Sequence, residues 1–247
     1  MNGAGAVAEG WRRCANGVRL AFGCALAMAL SACMSTEEMN AAFGFAPAKP
    51  QGDTVTRQAM LAGGKARPGR LGPKTVSLAG GKVIVVPPRG YCIDKASLRN
   101  GFGSGFVLIA ACNSLSGEYS GADAEPVVMT VQVQPGFLQK EAPDAAALAA
   151  AMAPVKALRK VDGDGISMVQ FASGGNAELP KSDPKHWRAA MMINRYLVGI
   201  ALYAPAGHAL SGPRGERMIV ALAENMLDAS PIPDFSAEAE ALKAKKN

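Results

Sequence analysis

The chain has 247 residues, with 26 lysines and arginines against 20 acidic residues, a formal net charge of +6 and 49% hydrophobic residues. The length suits one domain with a sizeable core, and the presence of only two histidines excludes any metal site that needs three. The positive charge forms no basic patch interleaved with aromatic residues, so we expect no nucleic-acid partner.

Residues 1–32 have the three parts of an export signal. Arg12, Arg13 and Arg19 precede an apolar run over residues 20–30, and small residues follow it. The run is too short to cross a bilayer, because a transmembrane helix needs roughly 20 apolar residues. We therefore expect a removable signal peptide and not a membrane span.

The signal ends in Leu30-Ser31-Ala32-Cys33. This tetrapeptide resembles the lipobox of bacterial lipoprotein precursors, in which the cysteine is acylated and becomes the first residue of the mature chain. The resemblance implies a stable anchor of several acyl chains at Cys33, in a bacterial cell envelope and facing the periplasm, without choosing between inner and outer membrane. Ordinary cleavage without a lipid is the alternative, because Ala27-Met28-Ala29 also offers a small-x-small site.

Composition divides the rest of the chain into three parts. Residues 33–74 are rich in alanine, glycine, proline and charge, so they bury too little apolar surface to fold and are expected to form a flexible basic tether. Residues 75–231 carry apolar runs separated by glycine, proline and aspartate, which indicates a single α+β domain. Residues 232–247 are expected to form a charged C-terminal tail.

Two of the five cysteines remain for the folded domain, since Cys14 and Cys24 leave with the signal and Cys33 is the lipidation site. Cys92 and Cys112 both lie in segments that we expect to be extended. An even pair in an oxidising compartment indicates one disulfide. Two buried free thiols are the alternative.

Periodicity and turn residues predict the elements of the domain. Residues 76–78 and 82–86 flank Gly80-Gly81 and predict a hairpin. Further strands are expected at residues 106–111, 126–134, 166–171, 187–193 and 196–203, the last two joined at Asn194-Arg195. Helices are expected over residues 144–152 and after Ser211-Gly212-Pro213, the second with an apolar stripe of Met218, Ile219, Leu222 and Met226.

This order predicts an α+β fold in which an antiparallel sheet packs with an internal helix and a C-terminal helix. The final strand, strand, helix run, from Trp187 onward, resembles the end of PsbP-like domains. The resemblance implies a PsbP-like sandwich but no particular activity, because a fold does not fix a function.

Two glycine-rich segments match ligand-binding loops only in part. Asp162-Gly163-Asp164-Gly165 begins like a calcium loop, but an EF-hand needs a glutamate at the twelfth position, where Ser173 stands. We expect a turn over residues 161–165 instead. Residues 101–105 lack the Lys-Ser/Thr of a P-loop, and we expect a mobile connection there. No catalytic residue, metal or cofactor follows from either segment.

A candidate binding loop lies at residues 87–94. Two prolines stiffen it, and Arg89, Tyr91 and Asp94 offer a cation, an aromatic ring and a carboxylate, a combination suited to ligand recognition on a loop. We expect Trp187 or His208 as neighbours. The structural alternative is a strand-end turn pinned by the Cys92 bridge. His186 and His208 are themselves expected in loops, with surface or packing roles.

Together these features predict a cell-envelope lipoprotein whose domain is a non-catalytic binding or assembly module. Its partners would be the membrane, through the anchor, and an envelope protein or a small ligand. The alternative is an envelope hydrolase that uses a carboxylate or His208. A cleft with a histidine in reach of Asp94 or Ser104 would favour the hydrolase, and a flat apolar patch would favour the binding module.

Overall fold

A computed structural model of the chain describes residues 71–101, 103–116, 124–136 and 141–232. The predicted signal peptide, the lipidation site Cys33, most of the predicted tether and residues 233–247 of the predicted tail lie outside these ranges. The described helices and strands run from Val76 to Ala229, within the predicted domain. No helix in the described ranges is long and apolar enough to cross a membrane.

The described part of the chain contains ten strands and four α-helices. The strands are β1 (Val76–Leu78), β2 (Val83–Val85), β3 (Tyr91–Ile93), β4 (Arg99–Gly101), β5 (Ser104–Ala111), β6 (Val128–Pro135), β7 (Ala157–Gly163), β8 (Ile166–Phe171), β9 (His186–Ile193) and β10 (Tyr196–Tyr203). The helices are α1 (Cys112–Ser116), α2 (Ala145–Ala151), α3 (Gly175–Glu178) and α4 (Pro213–Ala229).

Eight of the strands form one antiparallel sheet, in the order β3, β5, β6, β10, β9, β8, β7, with β4 also paired to β5. The strands β1 and β2 form a separate hairpin. This hairpin packs closely over β5, because a Cβ atom at Gly105 would lie 2.9–3.0 Å from the Leu78 side chain. The approach explains why β5 carries a glycine at that position.

The sheet is covered on both faces. On one face, the apolar stripe of α4 and the β1–β2 hairpin enclose the largest core cluster, which includes Val107, Ile200 and Met191 from the sheet. On the other face, α2 packs against β8 and β9, and Leu115 and Leu179 cover the end of β10. This arrangement confirms the predicted α+β class, with an antiparallel sheet, an internal helix and a C-terminal helix.

The predicted hairpin and the predicted C-terminal helix are confirmed, and the structure adds a helix cap. The hairpin between β9 and β10 turns at Asn194 and Arg195, whose φ angles are 51° and 68°, as a tight hairpin turn requires. The carboxylate of Asp144 caps α2 by accepting a hydrogen bond from the Ala147 amide at 2.7 Å. In α4, the predicted stripe residues Ile219, Leu222 and Met226 are fully buried.

Four local predictions were wrong. A mobile connection was expected over residues 101–105, but Gly101 belongs to β4 and pairs with Ser104 at the start of β5. The turn expected over residues 161–165 is confined to Asp164-Gly165, because β7 continues to Gly163. Cys112 begins a helix instead of lying in a strand. His186 begins the buried strand β9 instead of lying in a loop.

The last residues of the predicted tether are paired with the domain. Leu71 forms an isolated antiparallel bridge with Asp94, and the Gly72 amide donates a hydrogen bond to the Ile93 carbonyl at 2.8 Å. Backbone pairing therefore begins a few residues before the boundary that composition predicted, along the outer side of β3.

Candidate functional site

One end of the sheet gathers residues from several distant parts of the chain. The register pairs Tyr91 with Ala111, Ala110 with Val128, and Val128 with Tyr203. The start of β3, the end of β5, the start of β6 and the end of β10 therefore lie side by side. Loops that leave the strands at this end carry the candidate site.

Tyr91 is held in place by the strand and the disulfide next to it. The structure contains the predicted bond between Cys92 and Cys112, whose Cα atoms are 4.9 Å apart. The Tyr91 hydroxyl donates a hydrogen bond to the Glu125 carbonyl at 3.0 Å. Burial, with a smaller contribution from the Glu125 charge, raises the pKa of Tyr91 to about 12. The phenol therefore stays protonated and acts as a donor.

The Glu125 carboxylate lies between a guanidinium and an imidazole. Arg214 Nη2 donates to Glu125 Oε2 at 2.7 Å, and His208 Nε2 lies 3.8 Å from Glu125 Oε1. The side chains of Arg214, Glu125 and His208 are 51%, 33% and 25% exposed, so a partner can reach all three. We call Tyr91, Glu125, His208 and Arg214 the Glu125 cluster.

The tautomer of His208 follows from its hydrogen bond to the backbone. His208 Nδ1 accepts from the Leu210 amide at 3.2 Å, and a backbone N–H can only donate. In the neutral ring the proton is therefore on Nε2, the atom that faces Glu125. His208 presents a donor to the carboxylate and has no unprotonated nitrogen directed away from the loop.

The loop that carries His208 is held by the buried carboxylate of Asp183. Asp183 Oδ2 accepts from the Gly207 amide at 2.8 Å and from the Ser211 hydroxyl at 3.2 Å. The Gln170 side-chain amide donates to the Ser211 carbonyl at 2.6 Å. Because these contacts hold both ends of the loop, His208 is positioned before any partner arrives.

The structure brings together only part of the binding loop that the sequence predicted. Tyr91 and His208 meet through Glu125, and Arg89 is exposed in the turn before β3. Asp94 and Trp187 are both 0% exposed. The Asp94 carboxylate accepts from the Ala96 amide, and the Trp187 indole donates to the Gly212 carbonyl. These two side chains hold the fold and are not on the surface.

Sequence reasoning missed Glu125 and Arg214. Glu125 immediately precedes the expected strand at residues 126–134 and has no local pattern around it. Arg214 did carry a signal, because a cation in the first turn of a helix opposes the positive end of the helix dipole. Its contact with Glu125 explains how that unfavourable placement is offset.

The other histidine, His186, lies in the interior between two aromatic rings. His186 is 1% exposed and stacks between the rings of Phe171 and Tyr203, with centroids 5.5 and 5.7 Å away. Burial, and then the charge of Arg188, lower the pKa of His186 to about 3, so the ring is neutral. Its Nε2 atom has no hydrogen-bond partner among the described residues. We call His186, Phe171 and Tyr203 the buried aromatic cluster.

An acidic cavity of about 450 Å³ lies beside α2 and the β7–β8 turn, lined by Glu141, Asp144, Asp162 and Asp164. Asp144 and Asp162 are already occupied, since they accept hydrogen bonds from the Ala147 and Ala145 amides at the start of α2. No group of three metal-ligating side chains is found within the described residues.

No family model matches the chain, and no curated protein matches it. Among solved structures, it is similar to the Saccharomyces cerevisiae Ran-binding protein Mog1p, with a TM-score of 0.39 and 12% identity over 67% of this chain and 98% of that chain. A mutant of protein Mog1 gives a TM-score of 0.38 and 13% identity over 68% and 99% of the two chains. At these values the likeness supports no conclusion about activity or partners.

Proposed function

We propose that this protein is a lipid-anchored component of the bacterial cell envelope, whose α+β domain is a non-catalytic binding or assembly module facing the periplasm. The Glu125 cluster is the observation that carries the binding role. Four side chains from separate parts of the chain converge there, and three of them are partly exposed. The partner would be an envelope protein or a small ligand.

The anchor and compartment rest on the sequence. The Leu30-Ser31-Ala32-Cys33 ending of the signal supports acylation at Cys33, and the Cys92–Cys112 bond is consistent with an oxidising compartment. The order of β9, β10 and α4 matches the run on which the PsbP resemblance depends, and we keep a PsbP-like architecture within the proposal.

The cluster is suited to binding because its polar groups are already ordered. Glu125 is fixed by Arg214, and His208 by Leu210, so engaging a partner costs little further side-chain entropy. The exposed guanidinium of Arg214, with Arg89 on the neighbouring turn, can donate to a carbonyl or carboxylate of the partner.

The geometry is less suited to the hydrolase alternative. A histidine acting as a general base needs an unprotonated nitrogen within reach of the nucleophile. His208 Nδ1 instead accepts from Leu210, and Nε2 faces Glu125. Ser104 lies elsewhere, in a shallow cavity with Arg99, Phe106 and Gln132. These contacts favour the binding module.

The binding role can be tested with two arginines in matched surroundings. Arg214 and Arg159 are 51% and 52% exposed, and each pairs with one glutamate, Glu125 or Glu216. Partners captured from detergent-solubilised envelopes would be compared by mass spectrometry for Arg214→Ala and Arg159→Ala. We expect Arg214→Ala alone to lower capture, with little change in melting temperature in either variant. Unchanged capture by Arg214→Ala would remove the Glu125 cluster as the binding site.

The anchor has a separate test. Intact-mass analysis of the protein from membranes should show an acylated chain that begins at Cys33, and Cys33→Ser should give an uncleaved or soluble form. A native chain that carries no lipid and begins elsewhere would contradict the lipoprotein assignment without affecting the binding test.

A further inference from the structure

The outer face of α4 carries a regular charged stripe. Positions 214, 217, 221, 224 and 228 follow the alternating three- and four-residue spacing that puts side chains along one side of a helix. Arg214 and Arg217 occupy the N-terminal half, Glu224 and Asp228 the C-terminal half, and Ala221 the centre. The four charged residues are exposed and Ala221 is half-buried. We call these five residues the α4 stripe.

This arrangement is unfavourable for the helix by itself. Arg214 lies in the first turn and Asp228 in the last, so each charge opposes the nearby end of the helix dipole. Arg214 and Arg217 are three residues apart, and Glu224 and Asp228 four apart, so like charges face each other within each half.

Most of these charges have no compensating contact in the described part of the chain. Arg214 pairs with Glu125. Arg217, Glu224 and Asp228 form no ion pair or hydrogen bond with another described side chain. The charges at the two ends of α4 oppose the helix dipole, and three of the four charges have no ion pair within the described residues. Such a surface is suited to a partner that presents the opposite charges in the same spacing.

We propose that the α4 stripe is the interface of a symmetric dimer, in which the α4 helix of a second copy lies antiparallel across it. The stripe is complementary to itself in this orientation only. With the twofold axis at Ala221, Arg217 faces Glu224 of the other copy and Arg214 faces Asp228, and symmetry repeats both pairs. A parallel arrangement would place like charges together.

The centre of the stripe allows the two helices to approach. Ala221 adds only a methyl group at the crossing point, which permits an axis separation at the short end of the usual 8–10 Å. The outermost charges, Arg214 and Asp228, are about 21 Å apart along the helix at 1.5 Å per residue, so the pairs span most of α4. Arg214 contacts Glu125 through Nη2, and its other donors are available to Asp228 of the second copy.

The dimer should be weak and sensitive to salt. One helix pair buries less than the roughly 1,600 Å² of a standard interface, and its ion pairs are exposed. Salt at 1 M shortens the screening length to about 3 Å. We therefore expect a monomer–dimer equilibrium that depends on protein concentration and shifts to monomer at high salt.

Charge reversal tests the proposed pairing. Sedimentation velocity on the purified full-length chain in mild detergent and low salt should show dimer for the wild type. Arg217→Glu and Glu224→Arg should each weaken dimerisation at least tenfold, and the double variant should restore it. Each single change removes a like-charge contact within the helix, so the melting temperature should stay the same or rise, which separates this effect from unfolding.

A disulfide across the proposed axis provides an independent test. Ala221→Cys should give an oxidised, covalently linked dimer on a non-reducing gel, because only a residue on the axis meets its own copy. Leu158→Cys, at a 45% exposed position on β7, and the wild-type chain are the controls. A monomeric wild type at high concentration, no rescue by the double charge reversal, or equal crosslinking at positions 158 and 221 would overturn the proposal.

Discussion

The buried aromatic cluster and the Glu125 cluster each contain one of the two histidines of the chain. His186 lies between Phe171 and Tyr203 with a depressed pKa and an Nε2 atom that has no partner in the described ranges. His208 is a quarter exposed, caps a helical turn through Nδ1 and faces a carboxylate through Nε2. The first ring behaves as a core aromatic residue, and the second as a hydrogen-bonding group on a surface.

This difference comes from position and not from residue type. His186 is at the start of a central strand, where covering helices exclude water and desolvation disfavours the charged ring. His208 follows the last strand, in a loop where backbone amides need acceptors. The lowered pKa of His186 is therefore a consequence of packing, whereas His208, which is partly exposed beside Glu125, is the better candidate for function.

The largest effect is expected from removing the buried ring. His186→Ala should lower the free energy of unfolding by about 3 kcal/mol, because it leaves a cavity between two aromatic rings. His186→Phe keeps an aromatic ring and removes both nitrogens, Nε2, which has no partner among the described residues, and Nδ1, which lies 3.4 Å from the Pro184 carbonyl oxygen. Because that single contact is long, the effect should stay within about 1 kcal/mol. Urea unfolding measures both. Equal losses in the two variants would show that the imidazole makes a specific contact and is not simply a packed ring.

A smaller effect is expected from a change of pH, because His186 is held neutral in the folded state. The pKa of His186 is about 3 in the folded state against 6.5 in the unfolded chain, so the unfolded state binds more protons between these values. The contribution of His186 to the free energy of unfolding is fully present above pH 6.5. It is lost progressively as the pH falls toward 3, and the loss is about 2 kcal/mol at pH 5. Urea unfolding of the wild type at pH 7 and pH 5 should show this slope.

The His186→Phe variant is the control for that slope, because it removes the titrating group and preserves packing. The stability difference between pH 7 and pH 5 should be smaller in this variant by about 2 kcal/mol. If both proteins lose the same stability between pH 7 and pH 5, then protonation of other groups causes the loss, and the pKa of His186 is not lowered by folding.

The smallest effect is expected at His208. His208→Ala removes the side-chain acceptor for the Leu210 amide and should lower the free energy of unfolding by about 1 kcal/mol, as loss of a capping group does. His208→Asn offers another acceptor at the same position and should recover most of that loss. Urea unfolding at pH 7 would compare the variants, and a full loss in His208→Asn would show that the cap is not what the ring contributes.

Elements with strong local signals were predicted correctly. The hairpin at Asn194-Arg195, the helix capped by Asp144 and the apolar stripe of α4 each depend on residues close in sequence. Strand β7 was missed because it lies at the edge of the sheet, and Arg159, Lys160 and Asp162 are exposed there. An edge strand with charged side chains lacks the apolar alternation that identifies a half-buried strand.

The candidate site was predicted only in part, for a related reason. Tyr91 and His208 were selected for their chemistry, but Asp94 and Trp187 have similar chemistry and are buried. The chemical type of a residue does not by itself say whether its side chain is buried or exposed. The residue that joins Tyr91 to His208 is Glu125, which is 34 positions from Tyr91 and 89 from Arg214.

Periodicity, cysteine number and neighbouring residues were enough to predict the α+β class, to favour the Cys92–Cys112 bond over free thiols, and to place the Asn194-Arg195 hairpin and the two main helices. Which residues meet at Glu125, and which of the two histidines is buried, depend on the tertiary structure. Those outcomes depend on the strand order and register, which place β3, β5, β6 and β10 side by side in that order. Such long-range pairing is fixed by burial of the whole sheet, and no short segment of sequence encodes it.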